Sequence, residues 1–412
     1  MRKRTRGAFG AWIALLAIMW MPSACLRLPG ERLFPDGRIV SGLEADYISL
    51  LSGFPKDEPG LGKDQFFPGD DRQPMAHGLV VSAEAARFGR TRTEESRAYV
   101  RTGVRRLLDS RDLDGDHFPG WGLPAAWDAF GDGSVNPPNT PYTITTAICL
   151  LGLLDALRQP LWSNPERGEI AAAVRDVELA WCRAAWTDIR GGGFFWYSVR
   201  PADAVFLPNV GAMLLGAMAR SLEELRGAFS DRDARLIRDR IDRAAASIAS
   251  RAVMRAEAPF WNYVVKLDVP DWEDPNDLVH HAYILWGLEL YRSFRGTFRL
   301  PWSRTQARRS LDRFWKDGRL FDAPQDLVYE GKRAYFNRTP AVLWGMGIAI
   351  ALYAVSGDRA KALDIAGLID RDYGPFPRLR RLPEMVSKDE NFYVREAAHV
   401  LWGWSLLLRE VW

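Results

Sequence analysis

Five stretches of the chain carry almost no charge on any side: residues 143–154, 210–219, 278–288, 340–355 and 400–408. His280 and His281 are the only groups in them that ionise near neutral pH. A helix that is apolar all round must be buried all round. Each run is shorter than the ~20 residues needed to span a bilayer, so its burial is in protein. Amphipathic stretches lie between them. Residues 96–111 place Tyr99, Val100, Val104, Leu107 and Leu108 on one stripe with arginines opposite, and residues 231–250 do the same with Leu236, Ile237, Ile241 and Ile248. Helices with one wet face alternating with fully buried ones predict an all-α fold, an (α/α)6 or α/α5 toroid with an inner ring wrapped by an outer one. The inner helices are expected to begin near residues 77, 143, 209, 277, 340 and 392, a spacing that suggests a repeated helical hairpin. Residues 193–199 and 261–265 read as short strands at the rim.

The N-terminus has a different logic. Arg2, Lys3, Arg4 and Arg6 precede an uncharged run over residues 8–21, which ends in Pro22, Ser23, Ala24 and Cys25. A basic start, a short apolar middle and small residues at the end describe a secretory signal peptide over residues 1–24. Cys25 stands where a lipoprotein signal places its acylated cysteine, although Pro22 occupies a position where Leu is usual. The chain is therefore expected to be exported, to the bacterial periplasm or as an outer-membrane-attached lipoprotein held through Cys25, and otherwise secreted. Residues 25–75, rich in Pro, Gly and Asp, read as a tether or wrapping arm, and 76–412 as the toroid domain. Cys149 and Cys182 lie in apolar helical stretches and are expected to be buried free thiols.

Composition narrows the partners. A net charge of +3 gives no support for nucleic acid, and 47% hydrophobic residues exclude disorder for most of the chain. The 17 tryptophans suit helical cores or flat platforms that stack on sugar rings.

The long connections, residues 112–142, 188–208, 257–277, 319–339 and 374–391, all precede an inner helix. If the inner helices are parallel, these loops gather at one mouth with the inner N-termini, whose free N–H groups favour anionic ligands. In the first loop Asp112, Asp114 and Asp116 resemble the start of a calcium loop, but the later Glu ligand is missing and an Asp-Gly turn is the simpler reading. No other metal site or cofactor is expected. Trp121, Trp127, Asp128 and Asp132 follow. A carboxylate among aromatics can hold sugar hydroxyls or act as an acid, and Asp128 can equally be a loop hydrogen-bonder. Tyr142, Trp196, Tyr197, Trp261, Trp272, Asp274, Arg338 and Tyr393 are further candidates for contacting a glycan. Asn139, Asn209, Asn276, Asn337 and Asn391 stand before or at the inner-helix starts, where N-capping is their ordinary role; Asn209 is also close enough to Trp196 and Tyr197 to reach a ligand. The sharpest cluster is Tyr263 with Asp277, His280 and His281. Adjacent helical residues point about 100° apart, so one of the two histidines is expected to face the cleft. His281 and Tyr263 are the leading candidates for a base, with His280 and Asp128 beside them. His399 reads as core.

Pro208-Asn209-x-Gly211-Ala212, Trp261-Asn262-Tyr263 and Asp277-x-x-His280-His281-Ala282-Tyr283 together resemble the six-hairpin, α/α-toroid glycan-active proteins. They are most similar to those related to the C-terminal domain of glucuronyl C5-epimerases and to toroid polysaccharide lyases. The resemblance covers roughly residues 90–412 and implies a toroid with a sugar-binding mouth. The superfamily holds lyases, epimerases, hydrolases and inactive members. The doubled His and the lack of an epimerase-type Tyr-Tyr pair set this chain apart from the epimerases. The leading expectation is an enzyme that abstracts a proton from a uronate-containing polysaccharide. The alternatives are a carboxylate-pair hydrolase, using Asp128 with Glu273 or Asp274, and a non-catalytic glycan-binding lipoprotein of polysaccharide assembly or export. A terpenoid-cyclase-like toroid is disfavoured by the missing Asp-rich motif.

Overall fold

The computed structural model describes residues 31–33, 39–64, 69–266, 276–294, 296–328, 337–377 and 392–411. The signal-peptide region with Cys25, the candidates Trp272, Glu273 and Asp274, and Asn391 lie outside the described residues. Twelve α-helices are present among the described residues: α1 (Leu43–Leu51), α2 (Pro74–Thr91), α3 (Glu94–Asp109), α4 (Thr143–Leu157), α5 (Asn164–Ala184), α6 (Pro208–Glu224), α7 (Asp231–Ser250), α8 (Leu278–Ser293), α9 (Arg304–Asp312), α10 (Leu343–Val355), α11 (Arg359–Tyr373) and α12 (Val394–Val411). No helix among the described residues is long and apolar enough to cross a membrane.

The even-numbered helices close on themselves. α2 packs on α4, α4 on α6, α6 on α8, α8 on α10, α10 on α12, and α12 returns to α2. Outside this ring α3, α5, α7, α9 and α11 each pack on the inner helix that precedes them, and α1 packs on α12. The result is an (α/α)6 toroid, and the five uncharged runs are α4, α6, α8, α10 and α12. The region read as a tether or wrapping arm contains α1, whose Leu43, Tyr47, Leu50 and Leu51 are buried.

Three pairs of glycines set how closely the inner helices approach. A Cβ on Gly152 would lie 2.6 Å from the Gly78 carbonyl oxygen, one on Gly216 2.6 Å from that of Gly287, and one on Gly403 2.3 Å from that of Gly347. Backbone therefore meets backbone at alternate interfaces of the ring, α2/α4, α6/α8 and α10/α12, where any side chain would force the helices apart.

Short antiparallel hairpins extend several loops. Trp186–Ile189 pairs with Gly192–Phe195, covering the start of the strand expected at 193–199. Val253–Arg255 pairs with Ala258–Phe260, so the second strand ends just before the expected 261–265. Cys149 and Cys182 are free and buried.

The two rings end differently. Thr93, Ser163, Ser230, Ser303 and Asp358 cap α3, α5, α7, α9 and α11 with their side chains. The N-cap positions of α2, α4, α6 and α10 are Gln73, Tyr142, Leu207 and Val342, and none caps with its side chain. Asparagine capping, expected from the sequence, is therefore not the device used at these four helix starts. Asn209 lies one residue inside α6, and Asn276 precedes Asp277, whose carboxylate caps α8 by accepting from His280 N–H at 2.9 Å.

Candidate functional site at the N-terminal mouth of the inner ring

Neighbouring loops are stitched to one another around a single rim. Backbone bridges join Tyr142 to Ser198, Phe206 to Val265, and Lys63 to Tyr393. The amide of Leu278 donates to the Asp322 carbonyl at 2.9 Å, which ties the start of α8 to the loop leading to α10. The inner N-termini and their connections thus surround one mouth, and uncapped helix ends give that mouth a partial positive character.

His280 and His281 separate completely. The His280 ring is half-buried, with Nδ1 at 2.7 Å from Asp277 Oδ2, and the Tyr263 ring lies 4.5 Å from it. His281 turns toward the outer layer. It is fully buried, stacks on Phe260 at 4.8 Å, and bonds Ser310 of α9 at 2.8 Å through Nε2. Burial, reinforced by the Arg313 charge, holds its pKa down to about 3. The expectation that His281 leads at the mouth is corrected by this geometry: the ~100° step between adjacent helical residues turns one ring to the rim and the other to the α8–α9 interface.

A second imidazole completes the floor. His399 on α12 is fully buried and bonds the Tyr283 hydroxyl through Nε2 at 2.5 Å. Its Nδ1 lies 2.7 Å from the Arg395 carbonyl; because a carbonyl only accepts, Nδ1 carries the proton and Nε2 accepts from Tyr283. Burial lowers the His399 pKa to about 3 and raises that of Tyr283. The Trp344 indole lies edge-on to both histidines, 6.2 Å from each. Arg395 lies over Trp344 at 4.5 Å and reaches buried Asp64 at 3.0 Å. Asp322 adds an acid whose pKa is raised by burial and then by the Asp277 charge; its Oδ1 is buried with no hydrogen-bond partner.

The wall formed by α4 and α6 is aromatic and amide-rich. Asp203, fully buried, accepts from Asn136 at 2.6 Å and Ser198 at 2.5 Å. Asn136 also donates to the Tyr142 hydroxyl at 3.0 Å. Tyr197 lies edge-on to Tyr142 and Phe130, and Trp127 bonds its hydroxyl. Asn209 is buried, and its side-chain carbonyl oxygen has no hydrogen-bond partner. This is an acceptor left over at a helix start beside the mouth.

Other candidates have structural surroundings. Trp121 and Trp261 are fully buried, and their indole N–H groups donate at 2.8 Å to the carbonyls of Leu107 and Ile248. Each pins a long loop to the last turn of the preceding outer helix. Trp196 donates to Thr187 within its hairpin. Asp128 spends both carboxylate oxygens on its own loop, accepting from the amides of Phe130, Asp132 and Gly133. Asp132 is exposed and accepts from Ser134. Arg338 is exposed, while Tyr393 is buried at the foot of α12. Asp112, Asp114 and Asp116 are exposed, with ligand atoms within 4.8 Å of one another, a spacing a cation could bridge. Sequence reasoning did not pick out Tyr283 as the partner of His399, nor Trp344, Arg395 and Asp322. The usable signal was a His, a Trp and a Tyr in otherwise uncharged inner runs.

No family model and no curated protein matches the sequence. The fold is shared with solved structures. A D-mannose isomerase superposes with a TM-score of 0.59 at 15% identity, over 89% of this chain and 96% of that one. A cellobiose 2-epimerase from Spirochaeta thermophila gives 0.57 at 12% identity, over 90% and 96%. A polysaccharide lyase gives 0.53 at 10% identity, over 83% and 92%. At these identities the likeness is one of fold, and the chain shares the (α/α)6 toroid architecture of these three proteins.

Proposed function

We propose that the protein is a glycan-active enzyme that moves a proton at a sugar carbon beside a carbonyl or carboxylate, with uronate epimerisation or elimination as the leading reaction types. The observation that carries this reading is the Asp277–His280 pair at the mouth. With Nδ1–H donating to Asp277, the Nε2 lone pair of His280 is left to accept a proton, and the carboxylate stabilises the imidazolium that results. Tyr263 covers one face of the ring. Trp344 offers an aromatic wall against which a sugar can pack, and Tyr283, held by His399, is the second proton-bearing group at the floor. The N-termini of α2, α4, α6 and α10, which no N-cap side chain caps, suit the negative charge that develops on a substrate carboxylate during proton removal, while the Asn209 side-chain carbonyl can accept from a sugar hydroxyl. The proteins that share the fold include an isomerase, an epimerase and a polysaccharide lyase, and also an alpha-amylase and a glucanase; the fold supports action on a glycan, and the choice of reaction rests on the Asp277–His280 pair.

The basic, apolar and small-residue order of residues 1–25 supports export with acylation of Cys25. Mass spectrometry of the mature N-terminus tests it: an unmodified Cys25, or a start other than residue 25, removes the anchor.

The reaction is tested by incubating the full chain with acidic and neutral bacterial polysaccharides while following ultraviolet absorbance and reducing ends. Unsaturated products indicate elimination, and an altered uronate ratio without cleavage indicates epimerisation. Reducing ends alone would replace this reading with hydrolysis, and binding without turnover would replace it with a non-catalytic glycan-binding role.

A further inference from the structure

The inner ring has an opening at its other end. Where the inner helices finish, away from the rim loops, a cavity of about 510 Å3 runs into the toroid, lined by all six inner helices and by α9. Along α4 the lining extends from Ile148 to Arg158, about 15 Å at 1.5 Å per residue. The walls are apolar, built from Leu79, Ile148, Leu151, Met213, Leu285 and Leu352. Trp286 and Trp402 also line the cavity, edge to face at 4.9 Å. The volume falls within the range of about 300–1,000 Å3 typical of small-molecule sites.

Charged groups gather at the open end, and most are already matched. Arg220 meets Asp155 at 2.8 Å, and Arg304 meets Glu289 at 2.7 Å. Arg308 differs. It approaches Asp358 only to 3.8 Å, and its Nε is buried without a hydrogen-bond partner. The indole N–H of Trp286, a residue only 8% exposed, also has no acceptor. A buried donor left unpaired costs roughly 1–3 kcal/mol, so two of them in the wall of one cavity point to an acceptor that comes from outside the chain. One of the two is a guanidinium, which favours a carboxylate.

We propose that this shaft is a second ligand site, separate from the mouth, for a carboxylate-headed amphipath whose apolar tail lies along the axis and whose head reaches Arg308. The proposal does not depend on the reaction assigned to the mouth.

Calorimetric titration of the full chain with dodecanoate, kept below its micelle concentration, tests it. One saturable site is expected. Dodecanol, which lacks the carboxylate, and the Arg308→Gln variant should each weaken binding about tenfold or more. Leu151→Trp fills the shaft and should abolish binding; Ser82→Leu is a smaller filling change for use if that variant misfolds. His280→Ala at the mouth should leave dodecanoate affinity unchanged. The proposal is overturned by absence of saturable binding, by full affinity in a folded filled variant, or by loss of binding in His280→Ala. Equal affinity for dodecanol would overturn the carboxylate assignment.

Discussion

The two ends of the inner ring are made from the same six helices yet differ in chemistry. At the N-terminal mouth, the first turns of α8 and α10 carry His280 and Trp344, the connections before them bring in Tyr263, Asp277 and Asp322, and at four inner helices the N-cap side chain makes no cap. At the C-terminal end the shaft is walled by leucines and tryptophans and edged by arginines, of which Arg220 and Arg304 are paired and Arg308 is not closely matched. Five of the six inner helices are uncharged through their middles, and in α2 the charge of Glu84 is matched within the protein, so groups free to meet a ligand are concentrated at the ends. The mouth can carry more of it because the connections that enter the inner helices are the long ones. Tyr283 touches both regions: it lines the shaft and bonds His399 at the floor of the mouth.

The largest effect expected from this contrast is at the mouth. His280→Ala should lower turnover by about 10³, the middle of the range for a general base, with little change in thermal stability. His281→Ala should behave oppositely, losing roughly 2–5 kcal/mol because a fully buried ring that packs on Phe260 and bonds Ser310 is removed, with turnover nearly intact. Kinetics and thermal melts on both variants would break the assignment if the two effects were exchanged.

Next comes the ring that joins the ends. A Cβ at Gly287 would lie 2.0 Å from the Ala212 carbonyl oxygen, so Gly287→Ala should cost about 3 kcal/mol and weaken mouth and shaft together. Gly227 has open space around it, and Gly227→Ala should stay within about 0.5 kcal/mol in the same denaturant titration.

A third test reads the buried groups through pH. Burial holds His77, His281 and His399 down to about 3, so below 6.5 the unfolded chain takes up protons that the folded chain does not, and stability falls as pH drops from 6.5 toward 3. Burial raises Glu84 to about 7 and Glu178 to about 8 from 4.5, so the folded chain keeps protons that the unfolded chain has released, and stability falls as pH rises from 4.5 toward 8. The opposing slopes place the melting-temperature maximum near about pH 6. A maximum below about pH 5 would mean that the three histidines are not buried neutral, and one above about pH 8 that Glu84 and Glu178 are not buried protonated.

The smallest effect should be at Asp128. Asp128→Asn keeps an acceptor for the loop amides and should change turnover less than about threefold, because removing a true acid or base costs 10² or more. A loss of that larger size would return Asp128 to the chemistry.

Much of the ring was legible because its requirement is simple: an inner helix cannot carry unmatched charge in its middle, and five runs carry none. α2 was harder to see because it carries Glu84 and Arg87 in its buried face. Glu84 is matched by the Tyr47 hydroxyl at 2.6 Å and by Arg87 at 3.2 Å, so its charge did not mean exposure. The site was legible in kind and less so in detail. Sequence spacing shows that His280 and His281 diverge but not which way the helix is rotated, and rotation is set by packing on α6, α9 and α10. Tryptophan abundance suggested sugar platforms, whereas Trp121 and Trp261 serve as loop pins. The partners of His399, Trp344 and Arg395 come from remote segments; Arg395 and Asp64 are 331 residues apart, and nothing local marks their meeting.

The most direct measurement is deuterium incorporation from D2O into glycan carbons, by mass spectrometry and NMR, with the full chain and with His280→Ala. The account predicts exchange at a carbon beside a carboxylate or carbonyl, lost in His280→Ala and partly restored by added imidazole. Glycan turnover without carbon exchange, or exchange unchanged in His280→Ala, would contradict it.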